Sequence, residues 1–119
     1  MLVTTNMFGD ILSDLASEIS GSLGLAGSLN AGEEHAAAQA QHGSAPDIAG
    51  QDRANPVSMI LSLAMLLRHL GEAQAADALQ VAVATALKAP ATRTADLGGV
   101  LGTRAFTDCL MEIILENQK

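Results

Sequence analysis

The stretch Asn55-Pro-Val-Ser-Met-Ile-Leu-Ser-Leu-Ala-Met-Leu-Leu-Arg-His-Leu-Gly71 sets the fold class. Asparagine before proline is a helix entry signal. Asn55 is suited to the cap, and Pro56 to the first helical position, where a backbone donor would be unpaired in any case. Met59, Ile60, Leu63, Leu66, Leu67 and Leu70 recur at helical spacing and predict an apolar stripe, which Gly71 stops. Downstream, Ala73 to Leu87 predicts a second helix with Ala76, Leu79, Ala82, Val83 and Ala86 inward. Ala89 to Gly102 reads as a linker punctuated by Pro90, Gly98 and Gly99. A last helix is expected from about Thr103 to Glu116, burying Phe106, Cys109, Leu110, Ile113 and Ile114.

Upstream, the pattern is more varied. Leu2-Val3-Thr4-Thr5 reads as a short strand. Phe8, Ile11, Leu12, Leu15 and Ile19 share one face of a helix over 8–19, with Asn6 as its expected cap. A glycine-rich run over 20–27 ends that helix, and Leu25 to Leu29 has room for another short strand. The alanine run between Glu33 and Gln41 reads as helical. Gly43, Pro46, Gly50 and Pro56 then mark a structured loop, and a loop of this length in a small chain is more often functional than idle. Together these readings predict one domain over 1–119, α/β in class, mostly helical with a few short strands.

Composition narrows the function. The chain has 119 residues, 49% of them hydrophobic, but only Phe8 and Phe106 are aromatic, so Ala, Leu, Ile, Val and Met must build the core. Thirteen acidic residues against six basic ones leave a net charge of −7, which argues against a nucleic acid or an anionic membrane surface as partner. Cys109 is the only cysteine, which excludes an internal disulfide and fits a reducing compartment. No apolar run reaches the ~18 residues of a spanning helix, and the N-terminus lacks the pattern of a secretory signal. The composition thus points to a cytoplasmic location.

Two places can carry chemistry. Asp10 and Asp14 stand at i and i+4 of the opening helix, so their carboxylates project from one side. A hard cation such as Mg²⁺ or Mn²⁺ would turn their repulsion into binding, whereas the plain alternative is two acids complementing the helix dipole. The second place is His42-Gly-Ser-Ala-Pro-Asp-Ile-Ala-Gly50, followed by Asn55. Its small residues let a ligand approach the backbone closely. Asp47 is suited to accept hydrogen bonds from a ribose diol and to repel a 2′-phosphate, and Asn55 to present its amide to a purine edge. The alternative is an ordinary loop in which Asp47 makes an Asx-turn. His35, His69 and the Glu33-Glu34 pair read as solvated, and Cys109 as a core thiol.

These segments together resemble the β-decarboxylating dehydrogenases, the family of isopropylmalate, isocitrate, homoisocitrate and tartrate dehydrogenases. The resemblance rests on Asn6-Met-Phe-Gly-Asp-Ile-Leu-Ser-Asp14, Gly21-Ser-Leu-Gly-Leu25, His42 to Gly50, Asn55-Pro56, Ile60 to Leu67, Asp96-Leu-Gly-Gly99 and Gly102-Thr103, in the family's order. It implies the C-terminal third of the isopropylmalate/isocitrate dehydrogenase fold. Asp10 and Asp14 match the family's same-chain ligands for Mg²⁺ or Mn²⁺. His42, Gly43, Ser44, Ala45, Pro46, Asp47, Ile48 and Asn55 match the adenosine end of an NAD site, and Asp47-Ile48 is the NAD-type pair. Gln39 stands where the family commonly has Glu, which touches the nicotinamide side of the site. The Asp96-Leu-Gly-Gly99 ending looks like isopropylmalate dehydrogenase, and Gly50-Gln-Asp-Arg53 leans toward isocitrate dehydrogenase, so the 2-hydroxy acid stays open.

The resemblance also implies what these residues do not include: the substrate-gripping arginines, the proton-handling tyrosine, and the lysine and third aspartate given across a dimer. Arg53, Arg68, Arg93 and Arg104 are spread over unrelated elements. No catalytic residue is therefore assigned, and the chain alone is expected to be inactive, since hydride transfer needs its clamp within hydrogen-bond reach. Apolar stripes without a partner predict a homo-oligomer, most simply a dimer. A non-catalytic nucleotide-binding or oligomerisation remnant is the competing expectation.

Overall fold

The computed structural model describes residues 2–117. In chain order it contains α1 (Asn6–Ser20), β1 (Gly27–Ala31), β2 (Ala36–Ala40), α2 (Val57–His69), α3 (Ala73–Ala86) and α4 (Thr103–Glu116). Tight 3-10 turns occupy Leu23–Leu25, Pro46–Ile48, Pro90–Thr92 and Ala95–Leu97. Helix α2 is the centre: the β1–β2 hairpin and α3 both pack on it, and α4 packs on α3. The class is the expected one, mostly helical with two short strands. No helix among the described residues is long and apolar enough to cross a membrane.

The three later helices lie within a residue of where their sequence signals place them. Pro56 takes the cap position in place of Asn55, one residue later than expected, and Asn55 Oδ1 accepts the N–H of the first helical residue, Val57, at 3.0 Å. At the other end Gly71 takes φ +89°, its N–H reaches Arg68 O, and the Glu72 N–H reaches Leu67 O. This pair of bonds is the Schellman closure that glycine permits. The buried side of α2 differs from expectation, however. Val57, Ser58, Ser62 and Ala64 face inward, while Met59, Leu63 and Leu70 are exposed. The reason is the hairpin. The Ser58 hydroxyl donates to Ala26 O and accepts the Gln41 N–H at 3.0 Å. The Ser62 hydroxyl lies 2.6 Å from Gln39 O and accepts the Ser28 N–H at 3.0 Å. Two buried serines thus tie both strands to the helix, and polar satisfaction overrides the apolar stripe.

The strands correct three expectations. Leu2 to Thr5 forms no strand; Leu2 and Val3 are exposed, and an extended segment becomes a strand only by pairing. The next strand starts at Gly27 rather than Leu25, because Leu25 belongs to the 3-10 turn. The alanine run is a strand, not a helix: β2 pairs antiparallel with β1, from Gly27↔Ala40 to Ala31↔Ala36. Alanine's helix preference is worth only tenths of a kcal/mol per residue over most alternatives, and the turn closed by Gly32 N–H to His35 O returns the chain alongside β1. Gly27 is required here. A Cβ on it would stand 2.9 Å from Ser62 N and 3.0 Å from Leu61 C, so β1 lies directly on the α2 backbone.

The core is Val57, Ala82, Val83, Ala86, Phe106 and Leu110, with Leu25, Ile60, Leu61, Leu87, Leu101, Ile113 and Ile114 packed around it. Cys109 is half-buried rather than a core residue. Helix α1 stands apart. It begins at Asn6 itself, with Thr5 preceding it and no side-chain cap, so Asn6 is not the cap. Its main contacts are with the Leu23–Leu25 turn, and Phe8, Ile11, Leu12, Leu15 and Ile19 remain exposed.

Candidate functional site

The loop from Gln41 to Pro56 is held at both ends by α2, through Ser58 on the Gln41 N–H and Asn55 on the Val57 N–H. Inside it, Ala45 takes the left-handed backbone at φ 42°, and Pro46–Ile48 coil into the 3-10 turn. The turn closes by Ile48 N–H to Ala45 O at 3.1 Å and Ala49 N–H to Pro46 O at 3.2 Å. Asp52 is left-handed again at φ 55°. A left-handed non-glycine residue costs on the order of 1–3 kcal/mol and persists where surrounding contacts over-determine it. At Asp52 and its neighbours those contacts come from the 94–104 segment. Asn55 Nδ2 donates to Asp96 Oδ2 at 2.9 Å, Thr103 Oγ1 donates to Ala54 O at 2.5 Å, and the Thr103 and Arg104 N–H groups both reach Asp52.

Between these two segments lies a cleft of about 970 Å³. His42, Gly43, Ser44, Ala45, Ile48 and Asn55 line it from the expected set. Pro46 and Asp47 do not line it; both are exposed on the same turn, where Asp47 O accepts from Gln51 Nε2 at 2.7 Å. Asn55 is buried, and its amide is engaged at both ends, on Val57 N–H and on Asp96. It forms the cleft's floor more than a freely presented amide. Asp52, Arg53, Asp96, Thr103 and Arg104 also line the cleft, a part that no local sequence pattern assigns to them. Their joining runs over 41–52 residues of chain, a separation that no local pattern reveals. Arg53 and Arg104 form no ion pair among the described residues; the one found there, Arg68 with Asp77, lies on an exposed surface. A concave space of this size with a few convergent polar groups has the form of a small-ligand site.

Asp10 and Asp14 are exposed on α1. Asp14 Oδ1 accepts from Gln41 Nε2 at 3.2 Å, so one of the two acids touches the residue that precedes His42. Carboxylate oxygens suit Mg²⁺ or Mn²⁺. No group of three or more His, Cys, Asp or Glu side chains able to hold a metal exists among the described residues. Two carboxylates fit such a cation only in part, and a complete site would take further ligands from substrate, water or another chain.

The family model described as isocitrate/isopropylmalate dehydrogenase matches residues 1–113, and the chain belongs to that family. It is 49% identical over 114 residues to the mitochondrial NAD isocitrate dehydrogenase subunit 2 of Kluyveromyces lactis, covering 94% of this chain and 31% of that protein. It is 51% identical over 114 residues to the isocitrate/homoisocitrate dehydrogenase of Thermus thermophilus, covering 96% of this chain and 34% of that one. The crystal structure of isocitrate dehydrogenase from Methylococcus capsulatus superposes with a TM-score of 0.91 at 44% identity, over 95% of this chain and 34% of that one. The chain therefore spans about a third of the length of these relatives.

Proposed function

We propose that this chain supplies the adenosine-binding loop and two metal-ligating carboxylates of an NAD-dependent β-decarboxylating dehydrogenase acting on a 2-hydroxy acid such as isocitrate or 3-isopropylmalate. The observation that carries the reading is the cleft between the 42–55 loop and the 96–104 segment. Ala45 and Ile48 offer it apolar surface for a base, and the Asn55–Asp96 pair closes its floor. Asp47 is exposed beside Ile48, which lines the cleft, and a ribose at the cleft's rim would donate its two hydroxyls to the Asp47 carboxylate. A 2′-phosphate would meet the same negative charge, so the loop favours NAD over NADP.

Asp10 and Asp14 would hold the divalent cation on the side of Gln41. When bound, the cation supplies Lewis-acid polarisation of a substrate oxygen, and NAD accepts the hydride. The chain's own residues here bind and orient; they do not complete a reaction centre. Arg68 is committed to Asp77, and Arg93 to the carbonyls of Leu87 and Lys88. Arg53 and Arg104 belong to the nucleotide cleft. None of the four pairs with Asp10 or Asp14 among the described residues. A substrate with two or three carboxylates needs such a clamp beside the metal, so the 119-residue chain alone turns over neither substrate.

Calorimetric titration with NAD and AMP tests the reading, with Asp47→Ala as the control and nicotinamide absorbance recorded in the presence of Mn²⁺ and isocitrate. Saturable binding, weakened about tenfold by Asp47→Ala and without reduction of NAD, is the expected result. Absence of binding at ~10 mM nucleotide, equivalent to less than about 3 kcal/mol, removes the proposal.

A further inference from the structure

We propose that Asp52 is a positioning residue for the nucleotide cleft: it fixes the 42–55 loop to the N-terminus of α4 through its carboxylate and its left-handed backbone together. The inference rests on the nucleotide reading of the cleft and adds a residue to it.

The argument starts at α4. Its first residues, Thr103 and Arg104, bring free N–H groups, as every helix start does. The residue before them is Gly102, which has no side chain to cap with. Asp52, some fifty residues earlier, takes over that task. Its Oδ1 accepts the Arg104 N–H at 3.0 Å, and its carbonyl oxygen accepts the Thr103 N–H at 3.0 Å. Both bonds are possible only because two backbone conditions are met. Asp52 sits at φ 55°, a region that Asp tolerates better than most residues, and this turns its carbonyl and its side chain toward the same helix end. Gly102 leaves the approach open: a Cβ there would stand 2.5 Å from Asp52 Oδ2 and 2.6 Å from Asp52 O.

The latch bears on the cleft because its two halves are the cleft's two walls. Asp52 and Arg53 line it from the loop, and Thr103 and Arg104 line it from the helix. Between Ala45 and Asp52, the two left-handed residues other than glycine, lies the turn that carries Asp47 and Ile48. One end of that turn is anchored only if Asp52 is anchored. Loss of the carboxylate would leave Asp52 joined to α4 by one bond instead of two, the Thr103 N–H on Asp52 O, beside the Gln51 N–H on Ile48 O within the loop itself.

The decisive variant is Asp52→Gly. Glycine adopts the left-handed backbone freely, so the change removes the carboxylate without adding strain. Asp52→Asn restores an acceptor at the same place and should rescue. Leu67→Ala, ten residues or about 15 Å along α2 from Val57, serves as a destabilised control away from the cleft. The expected result is AMP binding about tenfold weaker in Asp52→Gly, within about twofold of wild type in Asp52→Asn, and unchanged in folded Leu67→Ala. Hydrogen exchange should quicken about tenfold at the Thr103 and Arg104 amides, and also at Ala49 and Gln51, in Asp52→Gly alone. Wild-type affinity retained by Asp52→Gly, or a failure of Asp52→Asn to rescue, overturns the proposal. If wild type binds no AMP, the nucleotide reading fails instead. Exchange then decides the latch: quickening at Ala49 and Gln51 in Asp52→Gly supports it, and no change there overturns it.

Discussion

Replacing Ser58 by alanine removes the hydroxyl that stands between the end of the hairpin and α2. Ser58 is fully buried, donates to Ala26 O, and accepts the Gln41 N–H at 3.0 Å. Ala26 and Gln41 lie one step beyond the Gly27↔Ala40 pair, so this hydroxyl continues the ladder where the strands no longer bond each other directly. Alanine introduces no clash and leaves both backbone groups short of a partner. Two such bonds at a net 0.5–1.5 kcal/mol each predict a loss of about 2 kcal/mol. For a chain of this size that corresponds to a midpoint lowered by roughly 8 °C. Urea unfolding followed by circular dichroism, at one fixed protein concentration, measures it. Because Gln41 leads directly into His42, nucleotide affinity should fall as well. A stability change below about 0.5 kcal/mol would show that water replaces the hydroxyl without loss, and the reasoning about α2's polar face would be wrong.

Three further outcomes follow from the same contacts. Gly27→Ala should cost about 1–3 kcal/mol in urea unfolding, because the added methyl meets the backbone of Leu61 and Ser62 rather than a movable side chain. Asn55→Ala should cost about 2 kcal/mol and weaken AMP binding, since it removes both the bond to the Val57 N–H at the start of α2 and the bond to Asp96. Leu15→Glu should convert a self-associated species into one of single-chain mass by sedimentation. Phe8, Ile11, Leu12 and Leu15 are all 42–57% exposed on α1, and so much uncovered apolar surface favours a second copy. A wild-type mass equal to one chain at micromolar concentration would refute that expectation.

What the sequence makes legible depends on how far apart the deciding groups lie. Helix α4 spans Thr103–Glu116 as its periodicity indicates, and α2 begins at Val57, one residue past where Asn55-Pro56 signals. Those cues sit within a turn of the element they govern. The alanine run at Ala36–Ala40 misleads because its own preference points to helix, whereas its hairpin partner, Gly27–Ala31, decides. The inward face of α2 misleads for a related reason. Ser58 and Ser62 look polar and therefore solvated, yet each satisfies backbone of the strands packed on it. The site shows the same division. The small residues and Asp47 are visible as a local pattern from His42 to Gly50. The partners that shape the cleft from behind, Asp52 on Arg104 and Asn55 on Asp96, are joined only by folding.

The most direct test is a ¹⁵N amide map of the 119-residue chain titrated with NAD. Saturable shifts confined to residues 42–55 and 96–104, with the exposed face of α1 unmoved, are what the cleft requires. Shifts spread over α1, or none at all at saturating protein and nucleotide, would contradict it.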